Sequence, residues 1–164
     1  MSIKKQIKAL IALDYDPSAK IIAEAAFGFA KSMGADVVLL HVISDPAYYS
    51  TPEYSPLTGF IGYDSIVQLT LDKEEDLRKK SQHFLNHFKG HYGDKKTETI
   101  LCEGDFSTQI LATAKDVHAG IIIMGSHSHN WFENVVLGSV TSQVVHESRI
   151  PVLVIPVKEI KTKK

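Results

Sequence analysis

Five runs of consecutive aliphatic residues punctuate the chain: Ala9–Asp14 (ALIALD), Asp36–Ile43 (DVVLLHVI), Thr97–Cys102 (TETILC), Gly120–Gly125 (GIIIMG) and Pro151–Val157 (PVLVIPV). Four of them show little alternation of apolar and polar positions, the pattern of strands covered by helices on both faces. The run at Thr97 alternates and suits a sheet edge. Between the runs the apolar period changes to three and four. Ser18–Met33 sets Ile21, Ile22, Ala25, Ala26, Phe29 and Met33 on one face and predicts a helix closed by Gly34. From Asp64 to about His91, Leu77, Phe84, Leu85 and Phe88 form the apolar side of a helix whose solvated face is DKEEDLRKK. Phe106–Val117 repeats Ile110, Leu111, Ala114 and Val117 behind Asp105, an N-cap residue type. Val135–Ser148 carries Val136, Val140, Val144 and Val145 and ends before Pro151.

Strand and helix alternate, which predicts an α/β fold: a single open parallel five-stranded sheet with helices on both faces. Ligands of such sheets sit at the carboxyl ends of the strands, where strand order reverses. With the first and fourth strands flanking that point, Asp14 and the segment from Gly125 meet there. Residues 1–157 are expected to form one domain, with 158–164 a basic tail. Residues 44–63 break the alternation, with Pro46, Pro52, Pro56, Gly59, Gly62, Tyr48, Tyr49, Tyr54 and Tyr63. This long flexible loop is either a surface connection or a lid or partner-binding element.

Composition removes some classes of function. Eighteen basic and 19 acidic residues leave a net charge of −1, without the basic footprint of a dedicated nucleic-acid or anionic-membrane binder. One cysteine, Cys102, excludes an intramolecular disulfide and a zinc ribbon, and fits a reducing compartment. No apolar run approaches the roughly 18 residues of a membrane span. The opening MSIKKQIKALIALDYD reads as a strand and not as a signal peptide, so a cytoplasmic location is expected.

The chemistry concentrates in Met124–Thr141, MGSHSHNWFENVVLGSVT, which leaves a strand end and enters a helix through Gly138-Ser139. A helix N-terminus offers unpaired N–H groups and partial positive charge to a phosphate. Gly138 permits close approach of backbone to an anion, and the hydroxyls of Ser139 and Thr141 can donate to phosphate oxygens. Equally, Gly138-Ser139 can be a turn and an N-cap and nothing more. Asp14, at a strand end, can receive a ribose hydroxyl or an adenine amino group, or simply make a turn with Asp16-Pro17.

On these residues the chain resembles the universal stress protein family, over nearly its whole length. The family pattern of glycine, two residues, glycine, nine residues, then glycine and serine or threonine falls on Gly125, Ser128 and Gly138-Ser139. The opening ALIALD, the DVVLLHV strand, the EGD before the third helix and the closing IPVLVIP are similar to the family as well. The resemblance implies a flavodoxin-like sheet of order 3-2-1-4-5, a homodimer joined through the last strand, Pro151 to Val157, and in one subfamily binding of ATP or AMP. Carried over by position, Ala12, Leu13, Asp14 and Val42 line the adenine and ribose side. Met124, Gly125, His127, Ser128 and His129 form the loop, and Gly138, Ser139, Val140 and Thr141 cradle the phosphates. The chain departs from the pattern at Ser128, where the family has its second glycine, and at Trp131, a position often small.

Other candidates have blander readings. His127 and His129 lack a third metal ligand at convincing spacing, so Mg2+ or Mn2+ is expected only through nucleotide phosphates. His83, His87 and His91 repeat along a helix face that is expected to be solvated, and His41 reads as a satisfied core histidine. Trp131-Phe132 either stacks on a ligand or packs under the loop. Three functions follow. The first is a regulatory module that binds adenine nucleotide and turns ATP over slowly or not at all. No Walker or Rossmann glycine motif is present, and no lysine lies in Met124–Thr141 to offset phosphate charge. The second is a hydrolase using Ser126 or Ser128, though the GxSxG elbow is missing. The third is a dimeric interaction protein that has lost nucleotide binding.

Overall fold

The structure, a computed structural model, describes residues 5–44, 74–126 and 137–157. Five strands alternate with helices: β1 (Lys8–Ala12), α1 (Ala19–Ser32), β2 (Asp36–Ile43), α2 (Glu74–Tyr92), β3 (Glu98–Glu103), α3 (Phe106–Asp116), β4 (Ile121–Gly125), α4 (Ser139–Glu147) and β5 (Val152–Ile155). The sheet is parallel throughout, in the order β3-β2-β1-β4-β5. Register sets Ala12 beside Leu40 and Ile11 beside Ile123, so β1 is the central strand between the two halves.

The aliphatic strands earn their place by being covered twice. On one face Ile11, Leu39 and Ile123 pack with Ala23, Ala26 and Phe27 of α1 and Phe84, Leu85 and Phe88 of α2. On the other, Leu10, Val38, Leu40, Val42, Ile122 and Met124 pack with Ile110 and Ala114 of α3 and Val144 of α4. Each fully buried Leu, Ile or Val contributes about 1.5–3 kcal/mol. β3, whose pattern alternates, lies at an edge and is only half-buried.

Helix ends follow local chemistry. Asp105 caps α3: its carboxylate accepts from the Thr108 N–H at 3.0 Å, the Thr108 hydroxyl at 2.7 Å and the Ser107 hydroxyl at 2.9 Å. Thr108, through its hydroxyl and N–H, and then Ser107 hold the Asp105 carboxyl below the usual carboxylate range. Gly34 sits past α1 at φ +65°, the left-handed closure that glycine adopts without steric cost.

Three expectations are corrected. Ile21, Ala25 and Phe29 of α1 are exposed, and Met33 is half-buried. The buried seam is Ala19, Ile22, Ala23, Ala26, Phe27 and Ala30, because small residues let the helix lie close against the sheet. The last helix begins at Ser139, behind Gly138, rather than at Val135. Its Val145 is 45% exposed, since Val144 occupies the face toward the sheet. The expected helix start at Asp64, the loop 44–63 beyond Ser44, and the tail 158–164 lie outside the described residues.

Candidate functional site

β1 ends where its two neighbours diverge. Leu13 still donates its N–H to the Leu40 carbonyl at 2.9 Å, and its own carbonyl accepts from His41 Nδ1 at 2.8 Å. The chain then turns. Asp14 Oδ1 accepts from the Tyr15 N–H at 2.8 Å, and Asp16 Oδ1 accepts from the Ser18 N–H at 2.7 Å. The turn reading of Asp14 is met, since it shapes the turn into α1; the residue also lines a cavity.

That cavity, of about 230 Å³, opens at the carboxyl ends of β1 and β4. Ala12, Leu13, Asp14, Val42, Met124, Gly125, Gly138, Ser139, Val140 and Thr141 all line it. These are ten of the 13 residues carried over from the family pattern. The other three, His127, Ser128 and His129, lie outside the described residues, as does Trp131. Leu40, Ile22, Phe106 and Ile110 complete the lining and were missed. Their signal was present but faint: Leu40 is in register with Ala12, and Phe106 follows the EGD turn.

The cavity lining joins apolar side chains, Val42, Phe106, Ile110 and Met124, to the start of α4. Gly138 is the N-cap, in extended conformation, with no side-chain cap bond. The first N–H groups of α4 have no intrahelical acceptors, and the residues that carry them, Ser139, Val140 and Thr141, line the cavity. Among the described residues no lysine or arginine lines this cavity. The helix start and hydroxyls supply its positive character.

Two hydroxyls have fixed employment. Thr141, 3% exposed, donates its hydroxyl to the Gly125 carbonyl at 2.8 Å, which hooks the first turn of α4 onto β4. Its expected donation to phosphate is corrected accordingly, because the proton is already committed. Ser139 remains exposed. Ser126, once a nucleophile candidate, is buried, and its Oγ accepts the Val157 N–H at 3.0 Å. Ser126 does not line the cavity, and none of the described histidines does; His127 and His129 lie outside the described residues.

Outside the cavity, His41 is 1% exposed, with Tyr15 and Phe84 packed against its ring at 4.7 and 5.6 Å. Only half of its expected satisfaction is seen: Nε2 has no partner among the described residues. Burial lowers its pKa, against the opposing pull of Asp14 and the Leu13 carbonyl. Burial also raises the Tyr15 hydroxyl above its ordinary value. His83, His87 and His91 lie exposed along α2, and among the described residues no three metal-ligating side chains converge. Cys102 is half-buried, its Sγ 3.6 Å from the Thr113 hydroxyl.

A doubly covered parallel sheet with a cavity at its switch point defines the doubly wound α/β class. Within that class the universal stress protein family model matches residues 8–156, and the chain belongs to that family. It is 29% identical over 151 residues to universal stress protein MJ0577 of Methanocaldococcus jannaschii, covering 90% of this chain and 93% of that one. The solved structure of MJ0577 superposes with a TM-score of 0.70 at 27% identity, over 93% of this chain and 97% of that chain. Universal stress protein YxiE of Bacillus subtilis is 31% identical over 152 residues, 90% of this chain and 97% of its own. A universal stress protein of Archaeoglobus fulgidus, solved in complex with dAMP, shares the fold at a TM-score of 0.56 and 17% identity, over 90% of this chain and 96% of that one.

Proposed function

We propose that the chain is a regulatory module that binds an adenine nucleotide, ATP or AMP, in the cavity between β1 and β4 and hydrolyses it slowly or not at all. The carrying observation is the mixed chemistry of the cavity lining: apolar side chains, the carboxylate of Asp14 and the start of α4. The apolar wall suits a purine, Asp14 suits a ribose hydroxyl or an amino group, and the open N–H groups suit a phosphate. The dAMP bound by the Archaeoglobus fulgidus relative supports an adenine ligand. Slow turnover is supported by the sequence of Met124–Thr141, which holds no lysine to neutralise β- and γ-phosphates. Mg2+ or Mn2+ would enter with the phosphates. We also propose a homodimer, paired through the outer edge of β5, in the cytoplasm.

Native mass spectrometry of the freshly purified protein, then melting with and without Mg-ATP, tests the reading. Ligand at 100 times its Kd adds about 2.7 kcal/mol, which raises Tm by roughly 5–10 °C in a domain of this size. One nucleotide per chain or such a shift is the expected result. A bare dimer unmoved by ATP, ADP or AMP would instead support the interaction protein that has lost its nucleotide, with Ser128 as the cause.

A further inference from the structure

The segment joining β4 to the cavity does more than span a gap. Among the described residues, three hydrogen bonds tie Ser126 to two distant parts of the chain. Its N–H donates to the Ile155 carbonyl at 2.8 Å, its Oγ accepts the Val157 N–H at 3.0 Å, and its carbonyl accepts the Gly138 N–H at 2.8 Å. Ile155 ends β5, and Gly138 is the N-cap of α4. The residue is 7% exposed, so water is poorly placed to replace a lost partner. Val157 also reaches over the preceding residue: a Cβ added at Gly125 would stand 3.4 Å from Val157 Cγ2.

We propose that Ser126 is a positioning residue for the phosphate end of the cavity. It fastens the start of α4 to the end of β5, so the placement of the cradle depends on a strand end outside the cavity. The inference rests on the adenine nucleotide reading and adds a residue that neither touches the cavity nor carries charge. The logic is directional. Gly138 leads into the N–H groups of Ser139, Val140 and Thr141, whose aim decides how well an anion is held. The Ser126 carbonyl fixes Gly138, and the Ser126 hydroxyl in turn fixes Ser126 against Val157. The adenine end is anchored elsewhere, through Leu13 on Leu40 and His41. A slackened Ser126 therefore weakens the grip on phosphate and spares the grip on the purine. A nucleophilic role is opposed by the same contacts, since the oxygen already accepts a backbone N–H in a buried position.

Isothermal titration with adenosine, AMP and ATP, on wild type, Ser126→Ala and Val157→Pro, tests this together with amide exchange at Gly138 in nucleotide-free protein. Ser126→Ala removes the acceptor and Val157→Pro removes the donor, so the second carries the test if the first does not fold. Both variants are expected to weaken AMP and ATP by about 3- to 10-fold, the worth of one net hydrogen bond. Adenosine should stay within about twofold of wild type, and the Gly138 amide should exchange faster. Equal loss for adenosine and AMP, or no loss for either, would overturn the assignment, because a merely structural role has no reason to single out phosphate. Should wild type bind no nucleotide, the adenine reading fails, and exchange at Gly138 then decides the joint alone. Faster exchange in the variants supports it, and exchange unchanged from wild type overturns it.

Discussion

His41 shows what a single buried side chain commits the fold to. Its Nδ1 lies 2.8 Å from the Leu13 carbonyl, an acceptor, so that nitrogen carries the proton, and the neutral ring leaves Nε2 bare. Burial, the largest influence, holds its pKa below the ordinary 6.5. The sign of the pH dependence follows. The unfolded chain takes up this proton near the ordinary value, while the folded chain refuses it until lower pH. The contribution of His41 is therefore complete above about pH 6.5 and declines as pH falls toward the folded value. Urea midpoints measured from about pH 7.5 to about pH 5 should fall for wild type and fall less for His41→Asn. Parallel curves for the two proteins would remove His41 from the acid response. The notion of a core histidine was legible from its place inside DVVLLHVI; its bond to Leu13 was not, because that partner is 28 residues away.

At the scale of elements, the seam between α1 and β4 is tight at one glycine. A Cβ at Gly125 would run into Ile22 Cδ1 and approach its Cγ1 to 3.2 Å, closer than side chains sit without moving. Gly125→Ala is expected to cost about 1–3 kcal/mol by overpacking. Ile22→Val removes Cδ1, so the double variant should recover part of that loss, read as a positive coupling in a denaturation cycle. Strict additivity would show that Gly125 is needed for some other reason. The family pattern in the sequence pointed to Gly125 as a phosphate-loop residue. Its packing role was hidden, because nothing in local spacing tells which helix face lies over a strand end. The same blindness explains α1, where the four-residue spacing of Ile21, Ala25, Phe29 and Met33 suggested the apolar face. The actual contact runs along Ala19, Ala23, Ala26 and Ala30, whose small side chains permit close approach. Asp105 was the opposite case: an N-cap is a local interaction, three residues long, and the sequence alone suffices to place it.

For the whole molecule, strand order is the property from which the rest descends. Runs of Ile, Leu and Val announced a buried parallel sheet, and the alternation at Thr97 announced an edge. The order 3-2-1-4-5 came from family likeness, since periodicity carries no record of which strands are neighbours. That order leaves β3 and β5 outermost. In β5 the carbonyls of Pro151 and Ile155 accept from Ile122 and Ser126, so residues of that parity face β4. Val152 and Val154, of the other parity, direct their backbone N–H and C=O groups outward. A half-buried apolar strand with an open outer row is a template for pairing with a second copy. Val154→Pro deletes one outward N–H and leaves the ladder to β4 intact, so it should shift native mass from dimer toward monomer with the fold retained. A dimer that persists in this variant would place the interface on another surface.

The hook from Thr141 to Gly125 reaches beyond geometry, into the time course of recognition. A helix start already latched to its strand does not have to be ordered by the arriving anion, so little conformational entropy is lost there on capture. Differences in affinity among phosphates then fall mainly on how fast each one leaves, with encounter rates nearly alike. On the proposed nucleotide reading, a module built this way would report the level of its ligand promptly and forget it at a rate set by the ligand itself.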